Sequence, residues 1–494
     1  MTSKLSVCMI VKNESRWIEQ SLSSVMNWVD EMIVVDTGSS DNTAEIAQSM
    51  GANVYHYEWD DDFSKARNYS ISKATGDWIL VIDADEVISK DDANNIRTLI
   101  ENPTGDMYYL IQTTYCEESA TLGWIPNHLS VPESQGYPGY LESPLVRLFK
   151  NSGEIYFNGC VHEHAQHNNK KIIGIQSLIR IHHYGKYSPK EVTSKKEDLY
   201  LRLGIEKCTK NPDDAHAWYE LGVQYWGMNH EAEAIEAFHK SEKLDPNHIR
   251  TIIALGGIHS IKKEYPKALR YYSKVMDLDS QNIIPYLYLP TILIEMGNFK
   301  LAQDILRYGQ RFAVHHPPYH INRGIVYQHL GNHRVAIECF DEALRINARE
   351  TLATYNKGVS LLALHEYEKA ISEFSKVLNC ERVGLLAYQK ITESYYSQDK
   401  SSEALRYVNE GLSLYENDPV LIYQRAVIHI RANELDKGRE LLSLIKSYEH
   451  FDESGLINLK QCWALVGDTS KVSEIEKLLG SKSKDLQRVD VRIN

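Results

Sequence analysis

Residues 31–42 read Glu-Met-Ile-Val-Val-Asp-Thr-Gly-Ser-Ser-Asp-Asn. The first half is short, apolar and rich in β-branched residues, which predicts a buried strand that ends at Asp36. Asp41 follows as a good N-cap, so a helix is expected to begin near it and to end at Gly51. This stretch therefore predicts a strand that carries a carboxylate at its end and is followed by a helix.

The same alternation continues on both sides of this stretch. Residues 5–11, 53–57 and 77–83 have the composition of further strands. Helices are expected around residues 17–26, over residues 64–74, and after Ser89, where Asp92 three positions later completes a capping-box pattern. Strands that alternate with helices predict an open α/β sheet rich in parallel pairs, with ligands bound at the carboxyl ends of its strands.

Carboxylates are concentrated at those strand ends. Asp36 closes one strand, and Asp83 and Asp85 close another in the sequence Ile-Asp-Ala-Asp-Glu. Residues two apart on an extended segment point to one face, so both carboxylates could serve one ligand. Hard oxygen donors suit Mg²⁺ or Mn²⁺, which would bridge to a diphosphate. Solvated loop carboxylates are the alternative, because an isolated Asp-x-Asp is common.

The C-terminal two-thirds of the chain repeats every 34 positions. Small residues recur in phase, most with a bulky apolar residue four positions later: Ala234 and Phe238, Ala268 and Tyr272, Ala302 and Leu306, Ala336 and Phe340, Ala370 and Phe374, Ala404 and Val408, Gly438 and Leu442. Gly222, Gly256, Gly324 and Gly358 lie twelve positions before their small partner. This pattern resembles the tetratricopeptide repeat, a helix–turn–helix unit whose apolar face is covered by the next unit.

The repeats set the predicted domain boundaries. We expect a catalytic domain over residues 1–188, a linker with a capping helix over 189–214, and seven repeats plus a degenerate eighth over 215–485. Arrays of this type bind peptides or proteins in their groove, act as scaffolds or form dimers. The sequence does not choose among these roles.

Composition excludes several classes of protein. Most of the net charge of −13 falls in residues 1–188, which argues against a nucleic-acid partner. No apolar run approaches the length needed to span a bilayer. The seven cysteines are scattered and show no metal-ligand spacing, which is typical of reduced thiols in the cytoplasm.

The first domain resembles the family 2 glycosyltransferases of the GT-A fold, a Rossmann-like α/β nucleotide-sugar domain. The matching blocks follow one another in order: Val11-Lys12-Asn13-Glu14, Val35-Asp36-Thr37-Gly38-Ser39, Asp62-Phe63-Ser64-Lys65-Ala66-Arg67-Asn68, Asp83-Ala84-Asp85-Glu86 and Gly159-Cys160-Val161-His162-Glu163. Fusion to an all-α tetratricopeptide solenoid is similar to the subgroup that includes the sublancin-type peptide S-glycosyltransferases.

The resemblance implies roles for residues on the donor side. Asp36 would accept a hydrogen bond from the nucleotide, Arg67 would contact the base or diphosphate, and Asp83 would hold the ribose. A structural salt bridge is the alternative role for Arg67. Asp62 belongs to the same block, and for it helix N-capping is the alternative to a role in the site.

It also implies a metal site and a catalytic base. Asp85 would ligate Mn²⁺ or Mg²⁺ with help from His183, and His182 is the neighbouring alternative. Inversion by single displacement needs a base, for which Glu163 is preferred and Glu142 is the second candidate. Ordinary strand positions for the histidines and a buried structural role for Glu163 remain open alternatives.

These implications combine into one expected function. The chain would move a sugar from a UDP-sugar to a peptide or protein held by the repeats, with residues 115–145 as an acceptor-side lid. A surface glycan or lipid-linked acceptor is the second reading, and an inactive repeat scaffold is the third. A homodimer formed through the repeats also fits the pattern.

Overall fold

The computed structural model describes residues 3–117, 125–127, 132–161, 163–168, 174–184 and 190–489. His162 falls outside these ranges, as do residues 118–124 and 128–131 of the expected lid. The described chain divides into two compact units, Met1–His316 and Pro317–Asn494. That division lies inside the repeats, and the borders expected at residues 188 and 214 remain predictions.

The first part of the chain is an α/β domain. Its strands are β1 Leu5–Val11, β2 Glu31–Asp36, β3 Asn53–His56, β4 Trp78–Val81, β5 Glu86–Val87, β6 Met107–Cys116, β7 Ile125–Pro126, β8 Gly139–Lys150, β9 Ile155–Asn158, β10 His164–His167 and β11 Ile175–His183. Its helices are α1 Ile18–Val25, α2 Thr43–Ser49, α3 Phe63–Ser72 and α4 Lys90–Glu101.

Local sequence signals account for where these elements begin. The Asp62 carboxylate accepts a hydrogen bond from the Lys65 amide at the start of α3, as N-capping predicts. The Ser89 hydroxyl accepts from the Asp92 amide at 3.1 Å and donates to its carboxylate at 2.6 Å, so this pair caps α4. Helix α2 begins at Thr43, two residues after the expected Asp41.

The sheet is mixed, with a parallel half beside a largely antiparallel one. Its strand order is β3-β2-β1-β4-β8-β6-β11-β5. The first four strands pair in parallel, whereas β8 runs antiparallel to both β4 and β6. The expected parallel-rich sheet is therefore correct only for its first half, because β8 lies between β4 and β6 and runs antiparallel to both.

Both faces of the central strands are buried. Val7 and Met9 pack with Ile18 and Leu22 on one face, and Cys8 packs with Ile33 on the other. A strand buried on both faces loses the polar alternation of a surface strand. Burial on both faces explains the continuous apolar run of β1. Pairing of Val11 with Asp36 places the carboxyl end of β1 beside that of β2.

The remaining helices form pairs. After α5 Lys190–Lys210, the described chain contains eight helix pairs: α6 Ala215–Gly227 and α7 Glu231–Leu244, α8 Ile249–Ile261 and α9 Tyr265–Leu278, α10 Ile284–Glu295 and α11 Phe299–Ala313, α12 Pro317–His329 and α13 His333–Ile346, α14 Thr351–Ala363 and α15 Tyr367–Ser375, α16 Gly384–Tyr396 and α17 Ser401–Leu414, α18 Pro419–Arg431 and α19 Leu435–Ser443, α20 Glu453–Leu465 and α21 Thr469–Val489. The predicted tetratricopeptide solenoid is confirmed as a fold class. In the described residues, none of these helices has the length and hydrophobicity of a membrane span.

Close packing inside a pair explains the repeating glycines. A Cβ at Gly222 would lie 2.6 Å from the Phe238 ring, and one at Gly358 would lie 2.6 Å from the Phe374 ring. Real Cβ atoms do not approach carbon that closely, so the aromatic ring of the second helix requires a glycine on the first.

Candidate functional site

A cleft of about 500 Å³ opens at the carboxyl ends of the parallel strands. The ends of β1, β2 and β4 contribute to it, as expected for an open α/β sheet. Its lining consists of Ile10, Val11, Lys12, Glu14, Thr37, Trp59, Phe63, Arg67, Asp83, Ala84, Asp85, Thr114, Val161, Glu163, His183 and Tyr200.

Arg67 lies at the centre of the charged part of the cleft. It projects from α3 and is buried, with 5% of its surface exposed. Its Nε donates to Glu163 Oε1 at 2.8 Å, and its Nη2 donates to Asp83 Oδ1 at 3.1 Å. The guanidinium also lies 5.3 Å from the centre of the Phe157 ring. Arg67 therefore joins two carboxylates that are far apart in sequence.

A second arginine, Arg147 on β8, completes the neutralisation of Asp83. Its Nη2 lies 2.8 Å from Asp83 Oδ2 and 2.9 Å from Glu86 Oε1. Burial alone would raise the pKa of Asp83, but Arg147 and Arg67 outweigh it and hold that pKa well below its ordinary range. Asp83 therefore stays ionised while 32% of its side chain remains exposed.

Glu86 contacts both Arg147 and the backbone of Asp83. It is fully buried, accepts from Gln112 at 2.6 Å, and accepts from the Asp83 backbone amide at 2.7 Å. Burial raises its pKa despite the nearby Arg147 charge. The motif blocks included Glu86 without giving it a role and did not contain Arg147. The sequence signal that could have identified Arg147 is an arginine within an apolar strand, because a buried charge requires partners.

Asp85 and His183 form a separate pair in the cleft. Asp85 Oδ2 lies 3.4 Å from His183 Nε2, and His183 Nδ1 lies 3.0 Å from Thr114 Oγ1. Burial acts to lower the pKa of His183, but the hydrogen bond and charge of Asp85 outweigh it, so the pKa is raised. Within the described residues, Asp85 has no arginine or lysine partner, in contrast to Asp83.

His182 is held elsewhere. Its side chain is 1% exposed, and its Nδ1 lies 2.7 Å from the Tyr115 hydroxyl. The two rings also stack with centroids 5.9 Å apart. Successive residues on a strand point to opposite faces, so only His183 of the two reaches the cleft. The alternative metal role for His182 is not supported by this position.

Two other expected site residues do not line the cleft. The Asp36 carboxylate accepts from the Ser39 amide at 3.0 Å and lies 3.5 Å from His56 Nδ1, while its neighbour Thr37 reaches the cleft. Glu142 on β8 accepts from Arg180 at 2.5 Å. Glu142 is not among the residues that line this cleft. The nucleotide contact of Asp36 remains a prediction.

Three aromatic side chains also line the cleft, and of these the motif blocks contained Phe63 alone and gave it no role. Trp59 and Phe63 follow β3 and pack edge to face at 4.7 Å, and Tyr200 of α5 packs against Phe63 at 5.5 Å. We call these three residues the aromatic wall. No sequence signal identified Tyr200, because it lies beyond the last catalytic motif.

Asp85 and His183 fit a metal ion that takes its other ligands from a substrate. Among the described residues, no group of three or more histidine, cysteine or acidic side chains is arranged to hold a metal ion. Asp85 and His183 supply two candidate donors, and the Thr114 contact at Nδ1 leaves Nε2 facing Asp85. Mg²⁺ commonly takes one or two protein carboxylates together with substrate phosphates, and this pair suits that mode.

Residues 6–158 match the family described as Glycosyl transferase family 2, and residues 215–248 and 317–349 match the tetratricopeptide repeat. The chain is similar to a TPR repeat-containing protein of Synechococcus elongatus, at 34% identity over 230 residues, covering 44% of this chain and 52% of that protein. It is also similar to the SPbeta prophage-derived glycosyltransferase SunS of Bacillus subtilis, at 28% identity over 244 residues, covering 49% and 53%. The chain spans about half the length of these curated relatives.

Among solved structures, the chain is similar to one in the crystal structure of the APC/C hetero-tetramer Cut9–Hcn1. The TM-score is 0.42 and the identity 21%, covering 51% of this chain and 47% of that one. The expected two-part organisation, a family 2 domain followed by tetratricopeptide repeats, is confirmed by the family matches.

Proposed function

Because residues 6–158 form a family 2 glycosyl transferase domain and tetratricopeptide repeats follow it, we propose that this chain transfers a sugar from a UDP-sugar to a peptide or protein. The reaction is metal-dependent, inverts the sugar's anomeric configuration and takes place in the cytoplasm. The repeats hold the acceptor or join two copies of the chain.

The observation that carries this proposal is the contrast between Asp83 and Asp85. Asp83 has an arginine on each carboxylate oxygen, whereas Asp85 pairs with His183 and, within the described part of the chain, with no arginine or lysine. Five acidic side chains lie in or beside the cleft (Glu14, Asp83, Asp85, Glu86 and Glu163), against three cationic ones, Lys12, Arg67 and Arg147. A diphosphate is repelled by such a site unless a divalent cation reverses the local field.

In this assignment Asp85 and His183 hold Mn²⁺ or Mg²⁺, which when bound acts as a Lewis acid on the departing diphosphate. Asp83 accepts hydrogen bonds from the ribose hydroxyls, because the two guanidinium groups fix its ionised carboxylate in place. Arg67 orients both Asp83 and Glu163.

Glu163 is proposed as the base. Both of its contacts with Arg67 fall on Oε1, at 2.8 and 2.7 Å. Among the described residues, Oε2 has no hydrogen-bond partner, so it can accept a proton from the acceptor. The acceptor atom attacks the anomeric carbon on the face opposite the diphosphate, the proton passes to Glu163, and the bonding electron pair leaves with UDP.

The peptide or protein acceptor is supported by the repeats and by the likeness to SunS, which is itself named a glycosyltransferase. A thiol acceptor would place the smallest demand on Glu163, because a few per cent of a thiol is already ionised at neutral pH. A glycan or lipid-linked acceptor is the competing assignment.

UDP release tests the proposal. The purified chain should release UDP from at least one of a panel of UDP-sugars when Mn²⁺ or Mg²⁺ is present, and chelation should stop it. Mass spectrometry of peptides and proteins from the same reaction should show a hexose or N-acetylhexosamine added. Release that persists at the same rate in chelator would refute the metal assignment.

A further inference from the structure

Helix α5 contacts both the first repeat and the catalytic domain. On the repeat side, its Leu201 and Cys208 pack with Ala217 and Leu221 of α6. Lys207 Nζ also lies 2.8 Å from Glu220 Oε2, and both side chains are largely buried. These contacts fix the position of α5 relative to the first helix pair.

On the catalytic side, α5 contributes a residue to the cleft itself. Tyr200 lines the cleft, and its ring meets Phe63 at 5.5 Å with an interplanar angle of 65°. Phe63 in turn meets Trp59 at 4.7 Å and 67°. All three rings are half-buried, so each has surface that a bound molecule could cover.

A second contact from α5 holds the segment that carries Trp59 and Phe63. Arg202 Nη1 lies 2.7 Å from Asp61 Oδ2, and the Trp59 indole donates to Asp61 Oδ1 at 2.8 Å. Asp61 has a φ of 61°, in the left-handed region that non-glycine residues seldom adopt. The Phe63 amide donates to the Cys160 carbonyl at 3.1 Å. An ion pair and two hydrogen bonds therefore hold the segment that carries two of the three rings of the aromatic wall.

The aromatic wall begins where the chain leaves β3 and enters α3. Trp59 and Phe63 follow β3, the edge strand of the parallel half, whereas Asp85 follows β4 and His183 ends β11. A nucleoside diphosphate whose phosphates lie at Asp85 and His183 would extend across β1 and β2 toward β3. Its base would then reach the aromatic wall, where stacking on an aromatic ring is favourable for any base.

We propose that the nucleobase of the donor stacks against the aromatic wall and that Tyr200 makes helix α5 part of the donor site. This inference rests on the proposed function. It implies that the first repeat, through its packing on α5, helps to set the affinity for the nucleotide. The repeats and the donor site are then coupled through a single helix.

The test compares two probes in the full-length chain, UDP and inorganic pyrophosphate, each with Mn²⁺ in a calorimetric titration. Tyr200→Ala should weaken UDP binding about tenfold and leave pyrophosphate binding unchanged. Tyr200→Phe keeps the ring and should bind UDP within about twofold of the parent chain. Lys210→Ala is the matched control, because this exposed residue of α5 pairs with Glu206 outside the cleft.

Each result separates the inference from the proposed function. Unchanged UDP binding in Tyr200→Ala, or equal loss of both probes, would overturn the stacking role while leaving the transferase assignment in place. A parent chain that binds neither probe with Mn²⁺ would overturn both. If Tyr200→Ala lowers the thermal stability of the chain, Tyr200→Leu preserves apolar volume without a ring, and the same tenfold loss is expected.

Discussion

The Arg67 guanidinium donates to the Glu163 carboxylate at 2.8 Å across 96 positions of sequence. Two motifs of the first domain, one in helix α3 and one just after β9, meet through this bond. The bond falls on one carboxylate oxygen, and among the described residues the second oxygen has no hydrogen-bond partner. The proposed base is therefore positioned by a residue for which the sequence suggested donor binding, with a structural salt bridge as the alternative.

Glu163→Gln should lower kcat on the order of 10²-fold while leaving UDP affinity nearly unchanged. The amide can no longer accept a proton, but it keeps the shape of the side chain. Steady-state transfer rates and UDP titration of the same preparation measure the two effects. Glu142→Gln is the control and should retain near-normal kcat, because Glu142 bonds to Arg180 outside the cleft. The opposite result would move the base to Glu142.

Asp85→Asn should lower metal-dependent UDP release by about 10²-fold or more, since the leaving diphosphate loses a ligand to its cation. Mn²⁺ titration should show weaker binding to this variant. Asp36→Ala provides the comparison and should raise KM for the donor without changing Mn²⁺ affinity. Full activity in Asp85→Asn would rule out the metal assignment.

Arg67→Met should destabilise the catalytic domain by about 3–5 kcal/mol, because two carboxylates lose the buried cation between them. Urea unfolding followed by tryptophan fluorescence measures this change. Arg202→Met removes an arginine whose side chain is 56% exposed, so its cost should stay below about 1 kcal/mol. Equal costs would mean that Arg67 is no more important to the fold than a surface arginine.

Gly222→Ala should destabilise the repeats by about 1–3 kcal/mol, since the new Cβ would overlap the Phe238 ring. Gly227→Ala lies in the same helix, and beyond its chain neighbours and its own helix backbone no described atom lies within 4 Å of the added Cβ. That variant should be neutral or slightly stabilising. Thermal unfolding followed by far-UV circular dichroism distinguishes the two, and a neutral Gly222→Ala would contradict the packing argument.

Truncation after Ser188 should give a fragment that aggregates and binds UDP weakly, because it lacks Tyr200 and Arg202. A fragment ending after α7 keeps α5 and covers its apolar side with the first helix pair. We expect this longer fragment to be monodisperse, to bind UDP, and to lose most transfer to a protein acceptor. Size-exclusion chromatography and UDP titration check both fragments. Tight UDP binding by the shorter one would contradict a role for α5.

Residue order predicted the elements of the first domain as far as helix α4, because their signals are local. Strands β1 and β2 occupy the ranges expected from their apolar runs, and the caps at Asp62 and Ser89 form as expected. The order and direction of the strands in the mixed half of the sheet could not be predicted from such local signals. Pairing between β8 and its neighbours depends on contacts among residues distant in sequence.

The sequence by itself also determined the family 2 domain, the repeats and the side chains that gather at the strand ends, since motif spacing and a 34-residue period survive without coordinates. Only the tertiary structure decided which of these side chains meet. It separated Asp83, which arginines neutralise, from Asp85, and His183 from His182, and it brought Tyr200 to the cleft. The physical reason is that charge pairing and burial depend on distances in space, which sequence spacing does not set.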